Sequence, residues 1–134
     1  MREVFQIDTI IVNQDNLCLA GELIKKGGTV VFPTETVYGL GADALSETAV
    51  SKIFAAKNRP QDNPLIVHIA DISDIGRLTS DFNEHAKIIA EHFMPGAITI
   101  VLKKSELIPS CVSAGLDTVG IRCPKNKIAR ELIR

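Results

Sequence analysis

Cysteine is scarce: Cys18, Cys111 and Cys123 are the three in 134 residues. The number is odd and no C-x-x-C pair occurs, which argues against a disulfide framework and a zinc site. The expected state is buried or semi-buried thiols in a reducing cytoplasm. No apolar run approaches the roughly 20 residues that a membrane span needs. The opening MREVFQIDTI lacks the charged-then-apolar layout of a signal peptide. These absences point to a cytoplasmic protein with no membrane partner. A phosphate loop of the form G-x-x-x-x-G-K-[ST] is also missing. Gly39-Leu40-Gly41 lacks the third glycine of a dinucleotide fingerprint and opens no helix. No Ser/His/Asp or Cys/His arrangement stands out, so nothing identifies a covalent nucleophile.

What is present suits one domain, residues 1–134, with a real core, since 46% of the residues are hydrophobic. No repeat, low-complexity tract or linker interrupts the chain. The formal net charge of −1 gives no global sign of nucleic-acid binding, but its distribution is uneven. Residues 122–134 carry Arg122, Lys125, Lys127, Arg130 and Arg134 against Glu131, a net +4, which leaves −5 for the rest. Such a tail can face an anion or RNA, or be the solvated face of a helix.

Hydrophobic periodicity sets out alternating elements. Val4 to Val12 reads as a strand. A helix follows from about Asn16 to Lys26, capped by Asn13 or Asp15, with Leu17, Ala20, Leu23 and Ile24 on one face and Gly27-Gly28 as its stop. Strands over about 29–33 and 37–42 enclose the turn Pro33-Thr34-Glu35-Thr36. Ser46 caps the next helix, which buries Ala49, Val50, Ile53 and Phe54 and ends near Pro60. Leu65–Ile69 reads as a continuous buried strand. A short helix over Ile72–Leu78 and a longer one over Asp81–His92 come next, the second with Phe82, Ala86, Ile89, Ala90 and Phe93 inward. Ala97–Leu102 and Val119–Cys123 read as strands, Ile108–Asp117 as a loop, and a last helix begins near Lys127. The class is α/β with a mixed sheet flanked by helices.

Chemistry-bearing side chains fall at the ends of these elements, where a rigid scaffold can hold a ligand. Lys57 and Arg59 flank a helix-ending turn and can converge on one polyanion, Arg as a planar fork and Lys as a mobile point charge. They can equally serve the helix dipole. Asn63 and loop N–H groups add neutral donors. Thr34 and Thr36 flank Glu35 and offer hydroxyls to a small polar ligand, or to the turn itself. His68 sits in an apolar strand, where a histidine is usually a satisfied core or half-buried residue. His85 and His92 read as surface residues. Thr118 and Arg122, four apart on a short strand, share a sheet face and can grip a carboxylate, unless Arg122 is held in an ion pair.

Five ordered segments carry a resemblance. Pro33-Thr34-Glu35-Thr36-Val37-Tyr38-Gly39-Leu40, Lys57-Asn58-Arg59-Pro60 and Asn63-Pro64-Leu65 with His68 resemble the YrdC-like threonylcarbamoyl-adenylate synthases of the TsaC/Sua group. Phe93 to Leu102 is similar to the family's aromatic-Pro-Gly-Pro strand, with Ala97 where proline is usual. Thr118-Val119-Gly120-Ile121-Arg122-Cys123-Pro124 is similar to its Thr-Val-x-x-Arg-x-Pro segment. The resemblance implies a YrdC/RibB-like twisted mixed sheet. It implies joining of L-threonine, bicarbonate and ATP into threonylcarbamoyl-AMP and diphosphate, for modification of tRNA by a partner transfer complex. By the same resemblance Thr36, His68 and Arg122 are threonine-binding. Arg59, Asn63 and Thr118 are ATP-binding, and Lys57 and Arg59 are the catalytic anion-holding pair. Mg2+ is expected with the ATP substrate, and no protein metal site is. The family continues beyond this length with a Ser-x-Asn motif that is missing here. The expectation is therefore a domain without its C-terminal part, with an incomplete ATP half-site and apolar surface open to self-association. The alternatives are a non-catalytic double-stranded RNA or tRNA-binding module, and a carbamoyl-handling domain like that of hydrogenase-maturation proteins.

Overall fold

The computed structural model describes residues 13–134. The strand expected over Val4–Val12 lies outside them. A 3-10 turn at Gln14–Asn16 leads into α1, Leu17–Lys25. Asn13 caps that turn by accepting from the backbone of Asp15 and Asn16. Gly27, at φ 79, ends α1 in the left-handed region, and the Gly28 N–H then donates to the Leu23 carbonyl at 2.8 Å. Only Ala20 of the expected apolar face of α1 is fully buried, and Cys18 is exposed rather than semi-buried because it lies on the outward side.

Strands β1, Val30–Phe32, and β2, Gly39–Gly41, form an antiparallel hairpin around the Pro-Thr-Glu-Thr turn. The second strand is shorter than the expected 37–42, since Val37 and Tyr38 stand exposed in the loop. Helix α2, Glu47–Lys57, starts at the Ser46 cap and buries Ala49, Val50, Ile53 and Phe54, as its periodicity predicts. Its end is not set by Pro60. Asn58 turns left-handed at φ 48, and the Arg59 N–H bonds back to the Phe54 carbonyl at 3.0 Å. This closes the helix two residues before the proline, using an asparagine where glycine is commoner.

The central sheet has the order β3-β5-β4, from Ile66–His68, Thr118–Arg122 and Ile100–Lys103. β3 runs parallel to β5 and β4 antiparallel, so the sheet is mixed. Side chains alternate across it. Val119 and Ile121 point inward and join Val50, Phe54, Val67, Ile75, Leu78, Ala90, Met94, Ile108 and Val112 in one core. Thr118, Gly120 and Arg122 face the other way, alongside Ile66 and His68 on β3 and Val101 and Lys103 on β4. That second face is open: Ile66 is 47% and Val101 63% exposed. The strand expected to be buried over 65–69 is therefore, among the described residues, an edge strand with one buried face.

A 3-10 turn at Ile72–Asp74 runs into α3, Ile75–Leu78. Helix α4, Glu84–Phe93, starts later than Asp81 because Asn83 caps it, accepting from the Ala86 N–H. Ala86 and Ala90 are its buried residues, whereas Ile89 and Phe93 are exposed, against expectation. The small side chains let α4 lie close to the core, and that leaves the larger ones at its margin. Helix α5, Lys127–Ile133, begins at an Asn126 cap and packs on α1.

Candidate functional site

The hairpin loop meets the end of β5 across 87 residues of sequence. Arg122 reaches it through one nitrogen, Nη2, which donates to the Glu35 carboxylate and to the Thr36 hydroxyl at 3.2 Å. The other carboxylate oxygen of Glu35 accepts from the Lys125 N–H at 2.9 Å. The two side chains are 13% and 19% exposed for Arg122 and Glu35 respectively. Thr34 shapes the loop by accepting from the N–H groups of Thr36 and Val37 and contacting the Thr36 hydroxyl at 3.1 Å. This is the local turn bonding that threonine favours, and it leaves Thr36 as the hydroxyl presented to Arg122.

Burial by itself pushes the pKa of Glu35 up. The Arg122 hydrogen bond, backbone N–H bonds and Arg122's charge together outweigh it and hold the carboxyl below the usual range. The Arg122 Nε is buried without a hydrogen-bond partner, and Nη1 donates to no described residue. One edge of the guanidinium is thus anchored while a donor remains for a ligand.

His68 stands beside Arg122 in the parallel register. Its ring meets Phe32 edge-on, with centroids 5.7 Å apart, and its Nδ1 lies 3.2 Å from the Ile66 carbonyl. Burial is the main cause that lowers its pKa, and the neighbouring Arg122 adds to it, so the imidazole is neutral at neutral pH. Phe32 in turn lies flat over β2. A Cβ at Gly39 or Gly41 would come within 2.9 Å or 2.7 Å of its ring. The G-x-G that failed as a nucleotide fingerprint is the seat of this ring, and the ring positions His68.

The structure brings Thr36, His68 and Arg122 together. It does not join Lys57 and Arg59 to them by any hydrogen bond or ion pair among the described residues. Arg59 folds over its own loop, its Nη2 donating to the Pro64 carbonyl at 2.8 Å, while its Nε is buried and unpartnered. Lys57 and Asn63 are exposed at the two ends of that loop. Thr118 lies half-buried at the far end of β5, opposite Lys103. A cavity of about 260 Å³ sits elsewhere, between Ile72 and α4, and none of these residues lines it. Glu35 is the residue that pattern reading passed over. Its signal was weak: an acid between two threonines, with its arginine far away in sequence.

The basic tail is partly occupied. Arg122 is paired, and Arg130 Nε donates to the Ala70 carbonyl at 3.0 Å, beside the buried Cys123 thiol. Burial pushes the Cys123 and Cys111 thiols up, so both stay protonated at neutral pH. Among the described residues, no group of three or more His, Cys, Asp or Glu can hold a metal ion. No helix there is long and apolar enough to cross a membrane.

Comparison with known proteins identifies the family of this fold. The Sua5/YciO/YrdC family model, described as "Telomere recombination", matches residues 22–134. The threonylcarbamoyl-AMP synthase of Pyrococcus abyssi is 48% identical, over 93% of this chain and 38% of its own length. That of Bacillus subtilis is also 48% identical, over 95% of this chain and 37% of its own. The crystal structure of P. abyssi Sua5 complexed with L-threonine superposes with a TM-score of 0.88, covering 92% of this chain and 36% of that one. The chain thus spans less than two-fifths of the length of these relatives. Sequence match and fold agree: the chain belongs to the Sua5/YciO/YrdC family.

Proposed function

We propose that the chain carries the threonine-binding part of a threonylcarbamoyl-AMP synthase, which joins L-threonine, bicarbonate and ATP. The observation that carries this is the convergence of the Arg122 guanidinium, the Thr36 hydroxyl and the neutral His68 imidazole at one end of the open sheet face. A guanidinium whose Nη1 no described residue takes suits the amino acid's carboxylate. A hydroxyl and an uncharged imidazole suit its polar end without repelling its amine. The names of the relatives, and the L-threonine of the P. abyssi complex, support the same substrate.

The reaction must hold a carboxylate, a bicarbonate and a triphosphate together. Unit negative charges about 4 Å apart repel by roughly 4 kcal/mol at an effective dielectric near 20. Arg122 offsets this at the threonine end. Lys57 and Arg59 do so at the phosphate end, with Asn63 and Thr118 as further nucleotide contacts. The threonine amine attacks bicarbonate and water leaves, giving a carbamate. A carbamate oxygen then attacks the α-phosphorus of ATP, and diphosphate departs. The chain's part is positioning and charge stabilisation. Magnesium brought with the ATP substrate would share the neutralisation of its phosphates. The product would pass to a partner that modifies tRNA.

The test is diphosphate release by the 134-residue chain. Release that requires both threonine and bicarbonate, and falls at least 100-fold in Arg122→Met, supports the reading. Salt-sensitive tRNA binding with no such release replaces it with a binding module.

A further inference from the structure

We propose that Glu35 is a positioning residue: its carboxylate ties the hairpin loop to the β5–α5 turn and presets Arg122 and Thr36 as one carboxylate-binding edge. The inference rests on the threonine-site reading above. Three contacts carry it. Glu35 takes Arg122 Nη2 on one oxygen and the Lys125 N–H on the other, and that same Nη2 bonds the Thr36 hydroxyl. One side chain therefore fixes two segments that the sequence separates by 87 and 90 residues.

The geometry says why this matters. A guanidinium that is 13% exposed and has an unpartnered buried Nε cannot stay in place without an opposite charge. Glu35 supplies that charge at Nη2, the nitrogen that also holds the Thr36 hydroxyl. Nη1 is then left without a hydrogen bond among the described residues, and His68 stands beside Arg122 in the strand register. Among the charged and titratable groups, Arg122 and His68 act on Glu35 from the sheet, and Lys125 approaches it through its backbone N–H. The two carboxylate oxygens are used by two different donors. Glutamine has the same shape but one acceptor, so Glu35→Gln must give up one of the two links. Glu35→Asp keeps both acceptors on a shorter stem.

The experiment measures L-threonine and ATP affinity by calorimetry on the full 134-residue chain, together with side-chain nitrogen NMR of Arg122. Glu35→Gln should weaken threonine at least tenfold and leave ATP within twofold. Glu35→Asp should recover part of the loss. Distinct, slowly rotating Arg122 Nη signals in the wild type should average together in Glu35→Gln. General unfolding would weaken both ligands alike, and that result overturns the proposal. So does unchanged or tighter threonine binding in Glu35→Gln, which would make Glu35 a bystander or a competitor for the seat. If the wild type binds no threonine, the functional reading falls, and the NMR arm alone decides the tether. Averaging confined to Glu35→Gln upholds it, and identical signals in both proteins refute it.

Discussion

Gly41→Ala should destabilise the chain although it adds one methyl group. The added Cβ would lie 2.7 Å from Cε1 and 3.2 Å from Cδ1 of Phe32, inside contact distance. Phe32 is 9% exposed and its ring already meets His68, so it has little room to retreat. Overpacking of this kind costs about 1–3 kcal/mol. For a domain of this size that is a fall in Tm of roughly 4–12 °C, at about 4 °C per kcal/mol. Gly21→Ala, inside α1 with nothing within 4 Å, is the control. It should stabilise by about 0.5–1 kcal/mol, since alanine favours a helix and costs less backbone entropy. The same substitution thus has opposite signs at two positions. Urea unfolding followed by circular dichroism reads both. A second test places Gly41→Ala in a Phe32→Leu background, where the smaller side chain makes room for the methyl. The cost of the methyl should then drop below about 0.5 kcal/mol, with a coupling of the opposite sign to the single change. Equal costs in the two backgrounds would show that the ring does not occupy the space over β2, and the positioning of His68 would need another cause.

Stability should depend on pH through two groups. The pKa of His68 is lowered from 6.5, so the unfolded chain binds the proton more readily and stability rises with pH up to about that value; His68→Asn should flatten this part of the profile. Glu35 is lowered from 4.5, so its contribution is complete above that value and is lost as pH falls through the folded value; urea midpoints of Glu35→Gln should show a shallower acid limb. Asn58→Ala should cost about 1 kcal/mol by thermal melt because alanine tolerates the left-handed φ of 48 poorly, and Asn58→Gly should be near neutral. Ser46→Ala should cost about 0.5–1 kcal/mol, at the low end for an N-cap because its bond to the Ala49 N–H is 3.4 Å long.

Local pattern determined much of this molecule. Ser46 and the stripe Ala49, Val50, Ile53, Phe54 specify their helix through contacts a few residues away, and it formed where its period placed it, while the strand expected over Val119–Cys123 formed one residue earlier, at Thr118–Arg122. Thr36, His68 and Arg122 were picked out as a group by the family resemblance, since each has a local use (turn bonding, a half-buried imidazole, an ion pair) that residue type and spacing do not separate from ligand binding. What the tertiary structure decided was which partners meet. Glu35 became the hub because β5 ends beside the hairpin loop, Gly39 and Gly41 became a seat because Phe32 folds over them, and Ile66 and Val101 lie open because the described core packs on the opposite face of their sheet. Propensity and period act over one or two turns of chain. Pairing across 87 residues depends on sheet order, and sheet order follows from the packing of the whole core.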